Sequence, residues 1–205
     1  SKKGMSANQM KRTLNVSYKT AWYLCHRIRA AMGTVATEKL TGIIEADETF
    51  VGGKPRYSQS TRDENGVQDP ARRSAIAKAN LARKTIVLGA LSRERQVRFS
   101  VSPDRSKRSI QAFIKAEVSD TAPAIFSDDW GAYKSLADAN TVHESVNHSE
   151  KEWVRGDVHT NGIESAWSLL KRSIVGSYHQ LSDKHLPAYL DEMEWRFNNR
   201  ENDFL

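Results

Sequence analysis

The chain has 205 residues, of which 39% are hydrophobic, and it carries a formal net charge of +6. This length suffices for one sizeable domain and a small appendage. The basic charge favours a polyanionic partner, although many RNA-binding proteins are equally basic. A single cysteine, Cys25, excludes a disulfide framework, and no pair of cysteines indicates zinc. The sequence shows no signal peptide and no apolar run of about 18 residues, so it predicts neither secretion nor a membrane span.

Residues 1–38 have the pattern of two helices joined by a turn. Ser6 and Gln9 have the spacing of a capping box, which predicts a short helix that ends at Leu14. Ser17 caps a second, longer helix in this prediction. The apolar positions of the second helix recur with a period of 3.6, and they are Ala21, Leu24, Cys25, Ile28 and Met32. Its outer side is expected to carry Lys19, His26, Arg27 and Arg29.

This segment has two interpretations. A helix-turn-helix would use Lys19, Arg27 and Arg29 to contact DNA, because such motifs place the second helix against the double strand. The alternative is a helical hairpin that merely packs on the core, since short motifs of this kind are weak signals.

The first β-strand is predicted over residues 41–51, which are rich in residues that favour strands. Alternation along the strand places Asp47 on the same face as Glu45, whereas Glu48 points to the opposite face. An aspartate within an apolar strand is costly unless it is paired or bound to a metal. Asp47 is therefore a candidate metal ligand or a member of a structural salt bridge, and Glu45 could pair with a lysine nearby.

Residues 53–84 form a basic insertion, rich in glycine, proline, lysine and arginine. We expect a long loop with a helical piece around residues 71–81. Lys54 is a candidate DNA contact in this loop. A solvated insertion without a partner is the other interpretation.

A mixed α/β order follows. Residues 85–91 and 96–101 predict a hairpin, residues 106–118 a helix, and residues 122–126 a short buried strand. This order is typical of an RNase H-like sheet. Sites in open sheets lie just beyond the strand ends, where Asp128 comes first. Asp128 is therefore preferred to Asp129, which is expected to cap a helix near residue 130.

Three histidines lie in or after the next predicted strand, which spans residues 141–146. They are His143, His148 and His159, and their spacing matches no compact zinc motif. Hydrogen bonding to backbone or phosphate is the expected role of each. His148 and His159 flank the candidate site in sequence, and His159 is a candidate DNA contact.

The helix predicted from Thr160 has an apolar stripe beside a polar face. The polar face carries Asn161, Glu164, Ser168 and Lys171. Glu164 and Lys171 are seven residues apart, which is nearly two turns, so they share a face. An ordinary solvated helix face is the alternative. A C-terminal helix begins near Leu186; its acidic side chains, Asp191, Glu192 and Glu194, are expected at the surface or in ion pairs, and Arg196 and Arg200 could reach phosphates.

Asp47, Asp128 and Glu164, followed by Lys171, have the layout of a two-metal phosphoryl-transfer site. Displacement at a phosphodiester places negative charge on the attacking and leaving oxygens, and two Mg²⁺ ions about 4 Å apart stabilise both. Mg²⁺ prefers oxygen ligands, so a few converging carboxylates suffice. In this interpretation Lys171 holds a DNA phosphate beside the metals.

The sequence resembles the DDE transposases of bacterial insertion sequences, which have an RNase H-like core. The resemblance is carried by residues 4–22, 45–54, 127–133, 159–172 and 195–200. It implies an α/β fold with a mixed sheet and flanking helices over residues 39–205, preceded by a helix-turn-helix. It also implies that Asp47, Asp128 and Glu164 bind two Mg²⁺ or Mn²⁺ ions, with Asn161 as the reserve third ligand.

The same resemblance implies DNA cleavage and strand transfer at the element's ends, by a homodimer or larger multimer bound to double-stranded DNA in the cytoplasm, at the nucleoid. Lys171 and Arg172 would contact that DNA. Such proteins often carry a zinc ribbon ahead of this segment, and the sequence contains none. An RNase H-like nuclease and a catalytically inactive DNA-binding remnant remain the alternative functions.

Overall fold

The computed structural model describes residues 4–33, 38–52, 67–128, 131–133, 136, 141–146, 154–179 and 181–201. Six α-helices and five strands occur within these ranges. In chain order they are α1 (Ala7–Leu14), α2 (Tyr18–Gly33), β1 (Ile44–Val51), α3 (Pro70–Leu81), β2 (Thr85–Ser92), β3 (Val97–Ser102), α4 (Lys107–Glu117), β4 (Ala124–Asp128), β5 (Val142–Val146), α5 (Asn161–Ser173) and α6 (Leu186–Asn198). A π-helical turn, Ile174–Tyr178, continues α5. Lys54, Asp129 and His148 lie outside the described residues.

The five strands form one mixed sheet in the order β3-β2-β1-β4-β5. The three strands β1, β2 and β3 are antiparallel neighbours, whereas β4 and β5 run parallel to β1. The antiparallel hairpin, the helix α4 and the parallel strands follow one another in the predicted order. The RNase H-like α/β fold expected from the sequence is therefore confirmed.

Helices cover both faces of the sheet, and strand alternation decides which side chains meet which helices. Ile44 and Ala46 of β1 pack on one face with Ile110 and Phe113 of α4. The opposite face receives Ile163 and Trp167 of α5, together with Leu190 of α6, against valines and leucines of β1 and β2. Both faces of β1 are thus enclosed, which places its acidic residues beneath helices rather than in open solvent.

The N-terminal helices have the predicted caps. The Ser6 hydroxyl accepts a hydrogen bond from the Gln9 amide, and the Ser17 hydroxyl accepts one from the Thr20 amide. Asn15 ends α1 in the left-handed conformation, with a φ of 52°. Ile28 was expected on the apolar stripe, but it is 44% exposed. The DNA-binding role of α1 and α2 stays a prediction.

Helix α2 packs on α6, and this contact corrects the expected position of Arg29. Arg29 was placed on the outer side, but it is 3% exposed and its Nε donates to Glu192 Oε2 at 2.7 Å. Its guanidinium group also lies 3.9 Å from the centre of the Tyr189 ring. His26 is half-buried among aromatic rings, and burial lowers its pKa. The sequence pattern missed both because their partners lie on a distant helix.

Glu192 and Glu194 of α6 are ion-paired, and Glu192 does not lie at the surface. Glu192 is 5% exposed and also accepts from Arg196 Nε at 2.9 Å. Burial raises the pKa of Glu194 to about 7, although Arg98 lies near its carboxylate.

Helix α3 confirms the helical piece predicted within the basic insertion. Asp69 caps it by accepting hydrogen bonds from the amides of Ala71 and Arg72, and Pro70 occupies its first turn. None of its residues is buried. Among the helices that the structure describes, none is long and apolar enough to cross a lipid bilayer.

Candidate active site

The register of two parallel strands brings Asp47 and Asp128 together. Ile44 and Glu45 of β1 pair with Ile125 and Phe126 of β4. Continuing this register by two residues sets Asp128, the last residue of β4, beside Asp47. Asp128 was expected just after the strand and instead ends it. Since paired residues of parallel strands point to the same face, both aspartates face the layer that contains α5.

Helix α5 lies directly over these aspartates. The indole Nε1 of Trp167 donates a hydrogen bond to Asp47 Oδ2 at 2.9 Å. This close approach requires a glycine on β2, because a Cβ atom on Gly89 would lie 2.5 Å from the Trp167 ring. The predicted apolar stripe of α5 is buried on the sheet, so its polar face is turned along the edge of the site.

A cleft of about 690 Å³ separates β1 from the polar face of α5 and the π-helical turn. Its lining includes Asp47 and Glu48 of β1 together with Glu164, Ser168 and Lys171 of α5. The structure thus brings Asp47, Glu164 and Lys171 to one cleft.

The other predicted residues stand in different relations to this cleft. Arg172 completes the basic end of the lining, beside Val175 and Gly176 of the π-helical turn. Asn161, the reserve ligand, is an exposed residue in the first turn of α5 and lies outside the residues that line the cleft. Asp128 also lies outside that lining, but its charge acts on Asp47.

The electrostatic environment of Asp47 is unfavourable for a bare carboxylate. Burial, which is the largest cause, and the negative charges of Glu48 and Asp128 together raise the pKa of Asp47 to about 7. Hydrogen bonds from the Glu48 amide and the Trp167 indole act in the opposite direction. A cation beside Asp47 would stabilise its ionised form, since an opposite charge at short range favours ionisation.

Glu48 borders the cleft, but its carboxylate has partners on the opposite face of the sheet, as alternation predicted. Arg105 donates to Glu48 Oε1 at 3.2 Å, and the Tyr133 hydroxyl donates to Glu48 Oε2 at 2.9 Å. Burial, followed by the charge of Glu48, raises the pKa of Tyr133. Because its two carboxylate oxygens are held by Arg105 and Tyr133, Glu48 has a structural explanation. The sequence analysis did not identify these partners.

The predicted carboxylates have the right chemistry for Mg²⁺ or Mn²⁺, which take oxygen ligands. Burial is the main cause of the raised pKa of Asp47, and the charges of Glu48 and Asp128 add to it, so a cation at this place would favour the ionised carboxylate. Within the described ranges, however, no three histidine, cysteine, aspartate or glutamate side chains lie close enough together to hold an ion. The assignment of Asp47, Asp128 and Glu164 as metal ligands stays a prediction.

Glu45 has different partners from the lysine that was considered for it. Its Oε1 atom lies 3.6 Å from Arg93 Nε and 3.3 Å from His159 Nδ1, and its Oε2 atom accepts from the Ile163 amide at 3.0 Å. Strand alternation placed Glu45 on the face of Asp47, which was the available sequence signal. His159 is packed beside this carboxylate, and its contact with DNA stays a prediction.

The remaining candidate DNA contacts divide by exposure. Lys19 and Arg27 are exposed on α2, and Arg27 donates to the Tyr23 hydroxyl at 3.3 Å. Lys171 and Arg172 are exposed on α5. Arg29 is buried and paired, so it cannot reach a phosphate in this structure.

Two known proteins with similar sequences carry names that refer to transposases or transposable elements. An uncharacterized transposase-like protein of Haemophilus influenzae is 31% identical over 77 residues, covering 38% of this chain and 61% of that protein. An uncharacterized protein in transposable element ISH50 of Halobacterium salinarum is 25% identical over 203 residues, covering 93% of this chain and 64% of that protein. The chain thus spans less than two thirds of the length of either relative.

Among solved structures, the magnesium complex of the HTLV-2 integrase catalytic core domain in its trimeric form is similar, with 15% sequence identity and a TM-score of 0.39. The match covers 80% of this chain and 88% of that domain. Residues 39–198 match the ISXO2-like transposase domain, which is well over half of the chain. The chain therefore belongs to the family of ISXO2-like transposase domains.

Proposed function

We propose that the chain catalyses metal-dependent DNA cleavage and strand transfer at the ends of an insertion sequence. The observation that carries this proposal is the single cleft that contains Asp47, Glu164 and Lys171, with Asp128 aligned beside Asp47. Carboxylates that can hold metal ions, with a lysine that can hold a phosphate, suit a two-metal phosphoryl transfer. Membership of the transposase family supports the same function.

Each group in the cleft has a role in this proposal. Asp47, Asp128 and Glu164 would hold two Mg²⁺ or Mn²⁺ ions, which when bound stabilise the charge on the attacking and leaving oxygens. Lys171 would hold a phosphate of the DNA by its charge. The Trp167 indole orients the Asp47 carboxylate through its hydrogen bond, which fixes one ligand before metal arrives.

In this proposal the DNA also contacts two exposed basic surfaces outside the cleft. Helix α3 carries no buried residue, and the segment from its first turn to β2 contains basic but no acidic side chains. Arg73, Lys78, Arg83 and Lys84 are exposed on it. Lys19 and Arg27 of α2 offer a second surface. A dimer or larger multimer on paired DNA ends is part of the same proposal.

The test is strand transfer in Mg²⁺ by the chain on a DNA fragment that carries the element's own ends. Glu164→Gln should lower the rate by more than about 100-fold while DNA binding persists, since even residues that only orient metal ligands contribute about 10- to 100-fold. Asn161→Ala should retain most activity. Glu144→Gln is the matched control, because Glu144 forms an exposed ion pair with Arg155.

Other outcomes would replace this proposal. Full activity of Glu164→Gln would show that Glu164 is not a metal ligand. Metal-dependent cleavage without joining would identify a nuclease. A folded chain that binds DNA but shows no metal-dependent reaction would be an inactive DNA-binding remnant.

A further inference from the structure

Glu45 is a buried carboxylate that the proposed reaction does not use. It is 1% exposed, and its two oxygens contact three groups from distant parts of the chain. Oε1 faces Arg93 and His159, while Oε2 accepts the hydrogen bond from the Ile163 amide. Burying a carboxylate is costly unless it is paired and hydrogen-bonded. The contacts of Glu45 therefore offset the large free-energy cost of burying its carboxylate in β1.

The contact with Ile163 closes the first turn of α5. The first amides of a helix lack partners within the helix and are usually capped by the preceding side chain. Thr160 precedes α5 but does not cap it through its side chain in the described structure. The Glu45 carboxylate accepts from one of these amides instead, and its negative charge is favourable at a helix N-terminus.

Gly162 makes this contact possible. A Cβ atom at position 162 would lie 2.7 Å from Glu45 Oε2 and 3.0 Å from the side chain of Leu91. A larger residue would therefore displace either the Glu45 carboxylate or the start of α5, and in both cases the contact between them would be lost or strained. The close approach is a feature of both elements, since it needs a carboxylate on the strand and a glycine on the helix.

A second hydrogen bond joins the same two elements further along. Asp47 accepts from Trp167, just as Glu45 accepts from Ile163. Two residues of a strand advance by about 6.6 Å, and four residues of a helix advance by about 6.0 Å. The two spacings nearly match, so both hydrogen bonds can form at once. Glu164 lies on α5 between Ile163 and Trp167. The two hydrogen bonds therefore determine the distance between Glu164 and β1.

We propose that Glu45 is a positioning residue, which sets the distance of Glu164 from Asp47 by anchoring the start of α5 to β1. It touches neither DNA nor metal in this role. The inference rests on the proposed function, because positioning matters only if both carboxylates act together at one site.

The experiment compares the parent with Glu45→Ala, Glu45→Gln and Gly162→Ala. Binding of Mn²⁺ to the DNA-free protein is followed by electron paramagnetic resonance, and strand transfer is measured in parallel. We expect Glu45→Ala and Gly162→Ala to weaken Mn²⁺ binding and slow strand transfer by about 10- to 100-fold. Gly131→Ala is the matched glycine control, since a Cβ atom there meets nothing within 4 Å.

Glu45→Gln tests whether the hydrogen bond or the charge matters. A glutamine oxygen can still accept from the Ile163 amide, so this variant should recover most of the Mn²⁺ affinity that Glu45→Ala loses. Hydrogen exchange over the first turn of α5 should be faster in Glu45→Ala than in Glu45→Gln. Hydrogen exchange reports directly on the contact between Glu45 and the start of α5. If Glu45→Ala folds poorly, the same measurement is made on Gly162→Ala.

Three results would overturn the proposal. One is unchanged Mn²⁺ affinity in Gly162→Ala and Glu45→Ala, with only their stability reduced, because Glu45 would then be structural. Another is a rate of hydrogen exchange at the start of α5 that is the same in Glu45→Ala and Gly162→Ala as in the parent. The third is a parent protein that binds no Mn²⁺. By contrast, a parent that binds Mn²⁺ and responds as expected, yet joins no DNA, would refute the proposed function and leave the anchor intact.

Discussion

Asp47→Asn should stabilise the metal-free protein while it abolishes activity. The substitution keeps the shape of the side chain, and an asparagine oxygen can accept the hydrogen bond from Trp167 that Asp47 accepts at 2.9 Å. What it removes is a negative charge beneath α5 and beside the charges of Glu48 and Asp128. A residue retained for function at a cost in stability is the expected trade-off at an active site.

The pKa of Asp47 gives the size of the effect. It rises from 3.8 to about 7 on folding, and each pKa unit corresponds to about 1.4 kcal/mol. The upper bound on the cost of ionised Asp47 is therefore about 4 kcal/mol above pH 7. Because the cleft opens to water, which relaxes around the charge, we expect about 2 kcal/mol.

The sign of the pH dependence follows from the direction of the shift. An acid whose pKa is higher in the folded state binds its proton more tightly there, so the parent should lose stability as the pH rises from about 4 to about 7. Asparagine does not titrate. The stability difference between Asp47→Asn and the parent should therefore widen between about pH 4 and about pH 7, and then stay constant.

The assay is urea denaturation at several pH values in the presence of a chelator, with Glu144→Gln as the control for loss of an exposed charge. Adding Mg²⁺ at about pH 8 should stabilise the parent but not Asp47→Asn, since a ligand stabilises only the state that binds it. If Asp47→Asn is less stable than the parent at pH 8 without metal, Asp47 is not an electrostatic burden, and this reasoning fails.

Two further predictions concern stability and DNA binding. Arg29→Ala should lower the free energy of unfolding by about 3 kcal/mol, because it removes one of the two ion pairs of the buried Glu192 carboxylate and leaves the ion pair with Arg196; a loss below about 1 kcal/mol in urea denaturation would contradict this. Replacing Arg73 and Lys78 together by glutamine should reduce the slope of log affinity against log salt by about 1.8, at about 0.9 per lost phosphate contact. Unchanged slopes in a DNA-binding titration would exclude α3 from the interface.

Local patterns predicted most of the secondary structure correctly. The caps at Ser6 and Ser17, the hairpin of β2 and β3, and the buried stripe of α4 depend on residues close in sequence, and periodicity reports such features directly. The helical period also predicted the polar face of α5 that carries Glu164 and Lys171. In each case the relevant physical interaction lies within one or two elements.

Long-range pairing explains what the sequence analysis missed. Arg29 occurs among basic residues on a helix, a pattern typical of an exposed face, and only the position of Glu192 on α6 shows that it is buried. The same applies to Glu45, whose partners Arg93 and His159 come from separate segments. Charged residues are buried only where a partner from elsewhere in the fold arrives, so their environment depends on tertiary structure.

The alignment of Asp47 with Asp128 is an instance in which apolar residues determine the geometry of a charged site. Ile44 and Ile125 are register partners, and both pack against the layer of α4. Each is followed three residues later by an aspartate, and an odd offset places that aspartate on the opposite face. A slip of one residue between the strands would set the two aspartates on different faces. The two isoleucines, by holding the register against α4, therefore keep both carboxylates on the face of the sheet that α5 covers.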